Sequence, residues 1–289
     1  QFECVAIGMV GSGHISYLAA DSGLFDRLPK LRALACLGTG CEFVDMAAAT
    51  ARGIAVSNTP GVNDEETADT AFGLLLGVVR QLPQADRYLR AGRWPQGMFP
   101  LTGTLRGKTL GILGLGHIGK AIARRALGFG LDVIYHGRNV QDVPYRYVDT
   151  PLALARQSDI LMAVVPGGDE TYHMVDAEVL TALGADGVLI NISRGTVVDE
   201  QALIAALRDG VIRSAGIDAF ENEPHAPSEL IAMDHVVLTP HVGSGTHHTR
   251  EQMAQALAEV LVEVQQAGFI PQALAIGRVA DHQAFLVLV

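Results

Sequence analysis

Cysteine and tryptophan are scarce in this chain of 289 residues, which holds three of the first and one of the second. Cys4, Cys36 and Cys41 give neither a disulfide framework nor the spacing of a metal site, and they suit a reducing compartment. No metal is therefore expected. No apolar run reaches the roughly 18 residues that a membrane span requires, so no membrane partner is expected. The start of the chain lacks a basic stretch leading into an apolar one, which predicts no secretory leader and a cytoplasmic location. Positive charge is in short supply too. Lys and Arg number 21 against 31 Asp and Glu, a net charge of −10, and that argues against nucleic acid as a partner. Tandem repeats and low-complexity tracts are missing.

Apolar residues are plentiful, at 49% of the chain, and the length is enough for two domains with sizeable cores. One stretch organises the rest. A short apolar run at 110–113 reads as a strand buried on both faces, and Gly114, Gly116 and Gly119 follow it in the spacing G-x-G-x-x-G. Helical spacing comes next, at Ile118, Ile122, Ala126 and Leu127, then a second apolar run at 133–135. In such a strand, turn and helix the first glycine permits the turn and the second lets a pyrophosphate approach the backbone. The third lets helix and strand pack closely, and the helix N-terminus offers N–H groups to the phosphates. Glycines at this spacing alone fit any glycine-rich loop; with both strands and the helix they point to a dinucleotide.

The residue after the second strand selects the dinucleotide. NAD calls for a carboxylate there, about 20 residues past the glycines, on the ribose 2′-OH. This chain has Gly137, Arg138 and Asn139 instead. Nothing repels a 2′-phosphate, and Arg138 offers a charge-assisted fork for it, so NADP, as NADPH, is the expected cofactor. The plainer alternative is that Arg138 is a solvated loop arginine.

The expected fold is α/β, with two doubly wound parallel-sheet domains: a Rossmann coenzyme domain over 83–267 and a smaller flavodoxin-like substrate domain over 1–82 and 268–289. Strands are predicted at 5–10, 33–37 and 54–57 in the smaller domain. In the larger they fall at 110–113, 133–135, 145–148, 160–165, 188–192, 215–217 and 236–238, mostly separated by helical segments. One long helix is predicted over 63–82 with Asp64 a possible N-cap, an irregular segment over 87–103, a helix over 258–266, and a buried-type strand over 284–289. Trp94 is either packing or part of a site or interface.

In an open α/β sheet, ligands sit beyond the carboxyl ends of the strands. Three late strands end in polar residues: Ser193 and Arg194, then Asp218 with Glu223 a loop later, then Thr239 and His241. Singly, each is an ordinary loop residue. Together they suit hydride transfer to a 2-oxo acid. Arg194 binds the substrate carboxylate and polarises the carbonyl. His241 gives the carbonyl oxygen a proton, and Glu223 orients that ring and favours its charged form. The backbone of Thr39 and Gly40, in a glycine-bearing turn at 37–41, is a further candidate for the carboxylate.

Asn191-Ile-Ser-Arg-Gly-Thr-Val-Val-Asp-Glu, Asp218-Ala-Phe-Glu-Asn-Glu-Pro, Leu238-Thr-Pro-His-Val-Gly-Ser and Asn58-Thr-Pro-Gly-Val-Asn-Asp-Glu-Glu-Thr-Ala-Asp resemble motifs of the D-2-hydroxyacid dehydrogenase family. The likeness runs over nearly the whole chain. It implies that Arg194, Glu223 and His241 are the catalytic trio and that Thr67, Pro166, Asp218 and Gly243 line the cofactor. With His117, Ile118, Thr171 and Ile192 these residues, the three turn glycines and the 137–139 stretch make up the expected cofactor set. The expected substrate contacts are Thr39, Gly40, Arg194 and His241. The resemblance also implies a homodimer, and the Gly137-Arg138-Asn139 stretch resembles the NADPH-preferring branch that reduces glyoxylate, hydroxypyruvate and, in some members, 2-ketogluconate or hydroxyphenylpyruvate. Corepressors that sense dinucleotides resemble the same family and keep the trio, so a binding protein is the rival expectation. Two departures stand out. Residue 1 already reads as mid-domain, without the family's opening strand and helix, and the run at 284–289 resembles that missing strand. Thr39, Met98 and Phe99 are candidates to shape the substrate pocket, but no spacing converts them into a named acid.

Overall fold

The computed structural model describes residues 4–8, 20–266, 275–276 and 287–288. The strands are β1 (Cys4–Gly8), β2 (Ala33–Leu37), β3 (Ala55–Ser57), β4 (Thr109–Leu113), β5 (Asp132–His136), β6 (Arg146–Tyr147), β7 (Ile160–Ala163), β8 (Val188–Asn191), β9 (Ser214–Ile217), β10 (Val237–Leu238), β11 (Ala275–Ile276) and β12 (Val287–Leu288). The helices are α1 (Ser22–Arg27), α2 (Met46–Ala51), α3 (Asp64–Val79), α4 (Leu82–Arg90), α5 (His117–Gly128), α6 (Pro151–Arg156), α7 (Ala177–Leu183), α8 (Glu200–Arg208), α9 (Ser228–Ala232) and α10 (His247–Gln266). They form two compact units, Gln1–Asn63 with Ser244–Val289, and Asp64–Gly243. By packing, α3 therefore goes with the larger sheet and α10 with the smaller, and the divisions fall at 63/64 and 243/244 instead of 82/83 and 267/268.

The larger unit is a seven-stranded sheet in the order β10-β9-β8-β7-β4-β5-β6, every pair parallel. The chain starts in β4, runs outward to β6, then returns to β7 on the other side of β4. That reversal makes a switch point between β4 and β7, where such sheets bind ligands. Side chains alternate between two cores. Leu161, Ala163, Leu189, Ala215 and Ile217 face a cluster with Leu154 of α6, Leu180 of α7 and Leu203 of α8. Leu110, Ile112, Ile160, Met162, Val188 and Ile190 face another with Leu75 of α3 and Ile122 of α5. Burying one such side chain contributes about 1.5–3 kcal/mol, and burial on both faces is why these strands read as continuous apolar runs. Gly216 lets α3 lie on β9: a Cβ there would stand 3.1 Å from Leu74 Cβ.

The smaller unit carries the sheet β11-β12-β1-β2-β3. Its β1, β2 and β3 are parallel, while β12 runs antiparallel to β1 with Leu288 opposite Val5. Of the strand predicted at 284–289 only Val287 and Leu288 are described, and residues 9 and 10 of the one predicted at 5–10 are outside the described residues. Leu24 and Phe25 of α1, Leu34 and Cys36 of β2, and Ala49 of α2 share one core.

Three predicted elements need correction. The helix expected over 63–82 stops at Val79, and Asp64 is its first residue. Gln81 sits in the left-handed region at φ 51°, and Pro83 opens a new helix, α4, suited to a first turn because proline has no N–H to leave unbonded. The segment expected to be irregular therefore starts inside α4, which buries none of its residues, and it holds a 3₁₀ turn at Trp94–Gln96. The final helix starts at His247, eleven residues before 258. Its buried face, Thr249, Met253 and Leu257, is spaced by four, but polar neighbours mask that period.

Arg125 ties α5 to α3 through Glu65 at 2.8 Å and Asp69 at 2.7 Å, and Arg124 also pairs with Glu65. The Arg125 hydrogen bond holds the Glu65 carboxyl below its usual range. A lowered folded-state value stabilises above the ordinary glutamate range and is lost as pH falls through the folded value. Glu65→Gln should therefore lower unfolding stability at neutral pH by less than about 1 kcal/mol, since the pair is exposed. The deficit should vanish in acid, as chemical denaturation at both pH values would show.

Candidate active site

The glycine turn is built as its spacing implies. Gly114 sits at φ 102°, and a Cβ on it would stand 2.9 Å from the carbonyl oxygen of Val164, the residue after β7. The turn is thereby pressed against the switch point. Gly119 is closer still: its Cβ would stand 2.2 Å from the Gly114 carbonyl oxygen. Gly116 faces open space. It opens α5 with no side-chain cap, whereas Asp21, Asp45, Thr150, Asp176 and Asp199 cap α1, α2, α6, α7 and α8. The first N–H groups of α5, around His117 and Ile118, are thus left for an anion. His117 itself lies 3.4 Å from Asp64.

The turn after β5 is pinned beside it. Tyr147 donates to the Gly137 carbonyl at 3.2 Å, and Gln141 donates its side-chain N–H to the Leu115 carbonyl at 2.7 Å. Arg138 and Asn139 are exposed, and among the described residues no carboxylate pairs with Arg138. Gln141 was missed in the sequence, where nothing separates it from other loop polars.

On the other side of the switch point, Thr171 donates to the carbonyls of Pro166 at 2.7 Å and Gly168 at 3.2 Å, shaping the loop after β7. Ile192 is buried at the end of β8. Thr67 on α3 is 6% exposed, and among the described residues its hydroxyl has no hydrogen-bond partner. A buried hydroxyl left unpaired costs about 1–3 kcal/mol, so this one suits a ligand atom. Open backbone at Gly116, the uncapped helix, the unpaired Arg138 and the orphaned Thr67 together fit a phosphorylated dinucleotide.

The polar strand ends are stitched to one another. Asn191, 1% exposed at the end of β8, accepts from the N–H and hydroxyl of Ser193 and donates to the Arg194 carbonyl at 3.0 Å. Arg194 donates to the Ser193 carbonyl at 2.8 Å. A Cβ on Gly195 would lie 1.9 Å from the Phe220 carbonyl carbon, so only glycine lets this loop meet the one after β9. There, Phe220 donates its N–H to Glu223 at 3.0 Å. Glu223 in turn lies 2.9 and 2.8 Å from Nδ1 of His241. A carboxylate only accepts, so Nδ1 carries the proton and Nε2 is directed to other work.

Asp218 does something the sequence did not disclose. It is 1% exposed, and its carboxylate accepts from the Thr239 hydroxyl at 2.6 Å, Val242 N–H at 2.9 Å and Gly243 N–H at 2.8 Å. The loop carrying His241, at φ 50°, is wrapped around it. Thr70 of α3 donates to the Gly243 carbonyl at 3.1 Å. In the sequence Asn191 is one motif residue among several; a lone polar residue ending a fully buried strand is the signal that sets it apart. In the smaller unit, the turn after β2 has Gly38 at φ 121°, Asn58 donating to the Thr39 carbonyl at 2.9 Å, and Thr39 donating to Asn63 at 2.7 Å. Gly40 follows, partly exposed.

Strand order, switch point and glycine turn define a dinucleotide-binding α/β domain. The family model "D-isomer specific 2-hydroxyacid dehydrogenase, NAD binding domain" matches residues 72–243. The Arabidopsis thaliana protein named glyoxylate/hydroxypyruvate reductase A HPR2 is 48% identical over 236 residues, covering 81% of this chain and 75% of the relative. A hydroxyphenylpyruvate reductase from Plectranthus scutellarioides is 44% identical over 240 residues, 83% of this chain and 77% of the relative. Among solved structures, the NADPH-dependent glyoxylate/hydroxypyruvate reductase SmGhrB of Sinorhizobium meliloti, in complex with NADP and malonate, is 44% identical with a TM-score of 0.85, covering 91% of this chain and 81% of that one. The chain belongs to the D-isomer specific 2-hydroxyacid dehydrogenase family.

Gly119→Ala tests the turn. The methyl group would collide with backbone, so dinucleotide affinity should fall at least about tenfold, a loss of about 1.4 kcal/mol, and thermal stability should fall with it. Titration of NADPH fluorescence and a melting curve check both.

Proposed function

We propose that this protein reduces a small 2-oxo acid, of the glyoxylate or hydroxypyruvate type, to the D-2-hydroxy acid with NADPH. The observation that carries this is the His241–Glu223 pair at the strand ends of a sheet whose glycine turn fits a dinucleotide. The names of the relatives at 44–48% identity support the substrate class.

Gly114, Gly116, Gly119 and the first turn of α5 would hold the pyrophosphate, Arg138 and Asn139 the 2′-phosphate, and Thr67, Pro166, Thr171, Ile192 and Gly243 the remainder of NADPH. When bound, that cofactor supplies the hydride. Asp218 enters this scheme indirectly, by shaping the 239–243 loop. Arg194 binds the substrate carboxylate, and its guanidinium polarises the adjacent carbonyl; the backbone of Thr39 and Gly40 is a separate candidate for that carboxylate. His241 hands the proton on Nε2 to the carbonyl oxygen, while Glu223 keeps Nδ1–H engaged and the ring aligned. In the oxidative direction Nε2 takes the hydroxyl proton back.

The SmGhrB likeness supports NADPH over NADH. A hydrogen bond to a charged group contributes about 1.5–3 kcal/mol, so Arg138→Gln should raise the KM for NADPH roughly 10- to 150-fold. Activity with NADH should change little. Steady-state kinetics with both cofactors decides. Loss of general acid catalysis costs about 10²–10⁴ in rate; His241→Ala should show a kcat decrease on that scale, with NADPH binding intact. Full activity in this variant would assign the proton to another group.

Hydroxyphenylpyruvate is a second substrate reading, favoured by the Plectranthus relative. Turnover across a panel of 2-oxo acids separates the two, and no turnover at all would favour a dinucleotide-sensing binding protein. We also propose a cytoplasmic homodimer. Leu82, Leu89, Trp94, Met98 and Leu101, on α4 and the segment after it, are exposed apolar side chains that a second copy would cover. No helix among the described residues is long and apolar enough to cross a membrane.

A further inference from the structure

We propose that His173 is a positioning residue for this reaction, a clamp that holds the Arg194 loop and the Glu223 loop in register. It lies between β7 and α7, and nothing above gives it a role. Its φ is 48°, in the left-handed region. Few residues other than glycine adopt that region, although histidine is among those enriched there. Such a backbone persists only where its surroundings over-determine it.

The surroundings here are the two catalytic loops. The His173 N–H donates to the Thr196 carbonyl at 2.8 Å, two residues past Arg194. The ring reaches the other loop, with Nε2 3.2 Å from Glu221 Oε1, two residues before Glu223. Nδ1 faces Asp199 at 3.9 Å, beyond hydrogen-bond range. Tyr172 stacks on the ring at 3.9 Å between centroids and 17° between planes, which fixes its orientation. Glu221 is held from its other end too, donating its N–H to Glu200 at 3.3 Å.

The path to the chemistry is short. Glu221 and Phe220 share the backbone against which Gly195 is pressed, and the Phe220 N–H holds the carboxylate that orients His241. Any shift of this backbone changes where the imidazole stands relative to Arg194. Among the described residues the His173 ring makes no contact with the glycine turn or Arg138, so its loss should weaken turnover far more than NADPH binding.

The clamp rests on Arg194 and His241 acting as proposed above, and the test keeps the two apart. His173→Asn removes the ring but tolerates the same backbone, and Glu221→Ala removes the acceptor. Each should lower kcat for glyoxylate or hydroxypyruvate roughly tenfold, within the range that a misplacement of about 1 Å produces. The Kd for NADPH, read by its fluorescence, should stay within about twofold, and the double variant should be no worse than either single one. Turnover within about twofold of wild type in both variants, NADPH affinity falling in step with kcat, or multiplying effects in the double variant would each overturn the clamp. Should His173→Asn not fold, Glu221→Ala carries the same comparison alone. An inactive wild type overturns the function and the clamp together.

Discussion

The buried carboxylate of Asp218 is the point on which this site depends. Two oxygens with almost no exposure receive a hydroxyl and two backbone N–H groups, all from the stretch 239–243. A carboxylate in such a place is tolerable only if its lone pairs are filled. Filling them bends the chain after β10 back over β9, and that bend is what presents His241 to Glu223. Charge burial at the end of one strand thus sets the direction of an imidazole on the next.

Around this anchor the loops are fixed by contacts too close for larger side chains. Gly195 against Phe220, Gly119 against Gly114, and Gly114 against Val164 are all places where a single methyl group meets backbone. Close approach of backbone to backbone tolerates little drift, because interiors are packed without slack. Arg138 and Asn139 lie outside that tightly packed frame, on an exposed turn. On the function proposed above, close packing then falls where a proton is to be aimed, and exposure where a cofactor is to enter.

Much of this was legible in the chain itself. Apolar runs gave the larger sheet because strands buried on both faces need no alternation to be seen, and glycine spacing disclosed the turn because each glycine answers a different steric demand. Strand ends drew attention to Arg194, Glu223 and His241, of which the last two meet in the structure. What stayed hidden has a common cause. The helix α4 buries nothing, α10 hides a four-residue period among polar neighbours, and the break at Gln81 depends on a left-handed residue that no local pattern announces. The grip of Asp218 on the 239–243 loop and the span from His173 to Glu221 join residues distant in sequence, and nothing local in either segment encodes the partner.

The smaller unit is made from two stretches of chain separated by the whole of the larger one. Its helix α10 packs on β2, so a contact within one compact body spans more than two hundred residues of sequence. The larger unit is uninterrupted and can close on itself first. Once it has, the hydrogen bond from Thr70 to Gly243 holds the stretches where the chain enters and leaves it, and a long loop has become a short tether. Because loop closure costs entropy that grows with the logarithm of loop length, a larger unit that closed first would lower the cost of joining the two stretches of the smaller one.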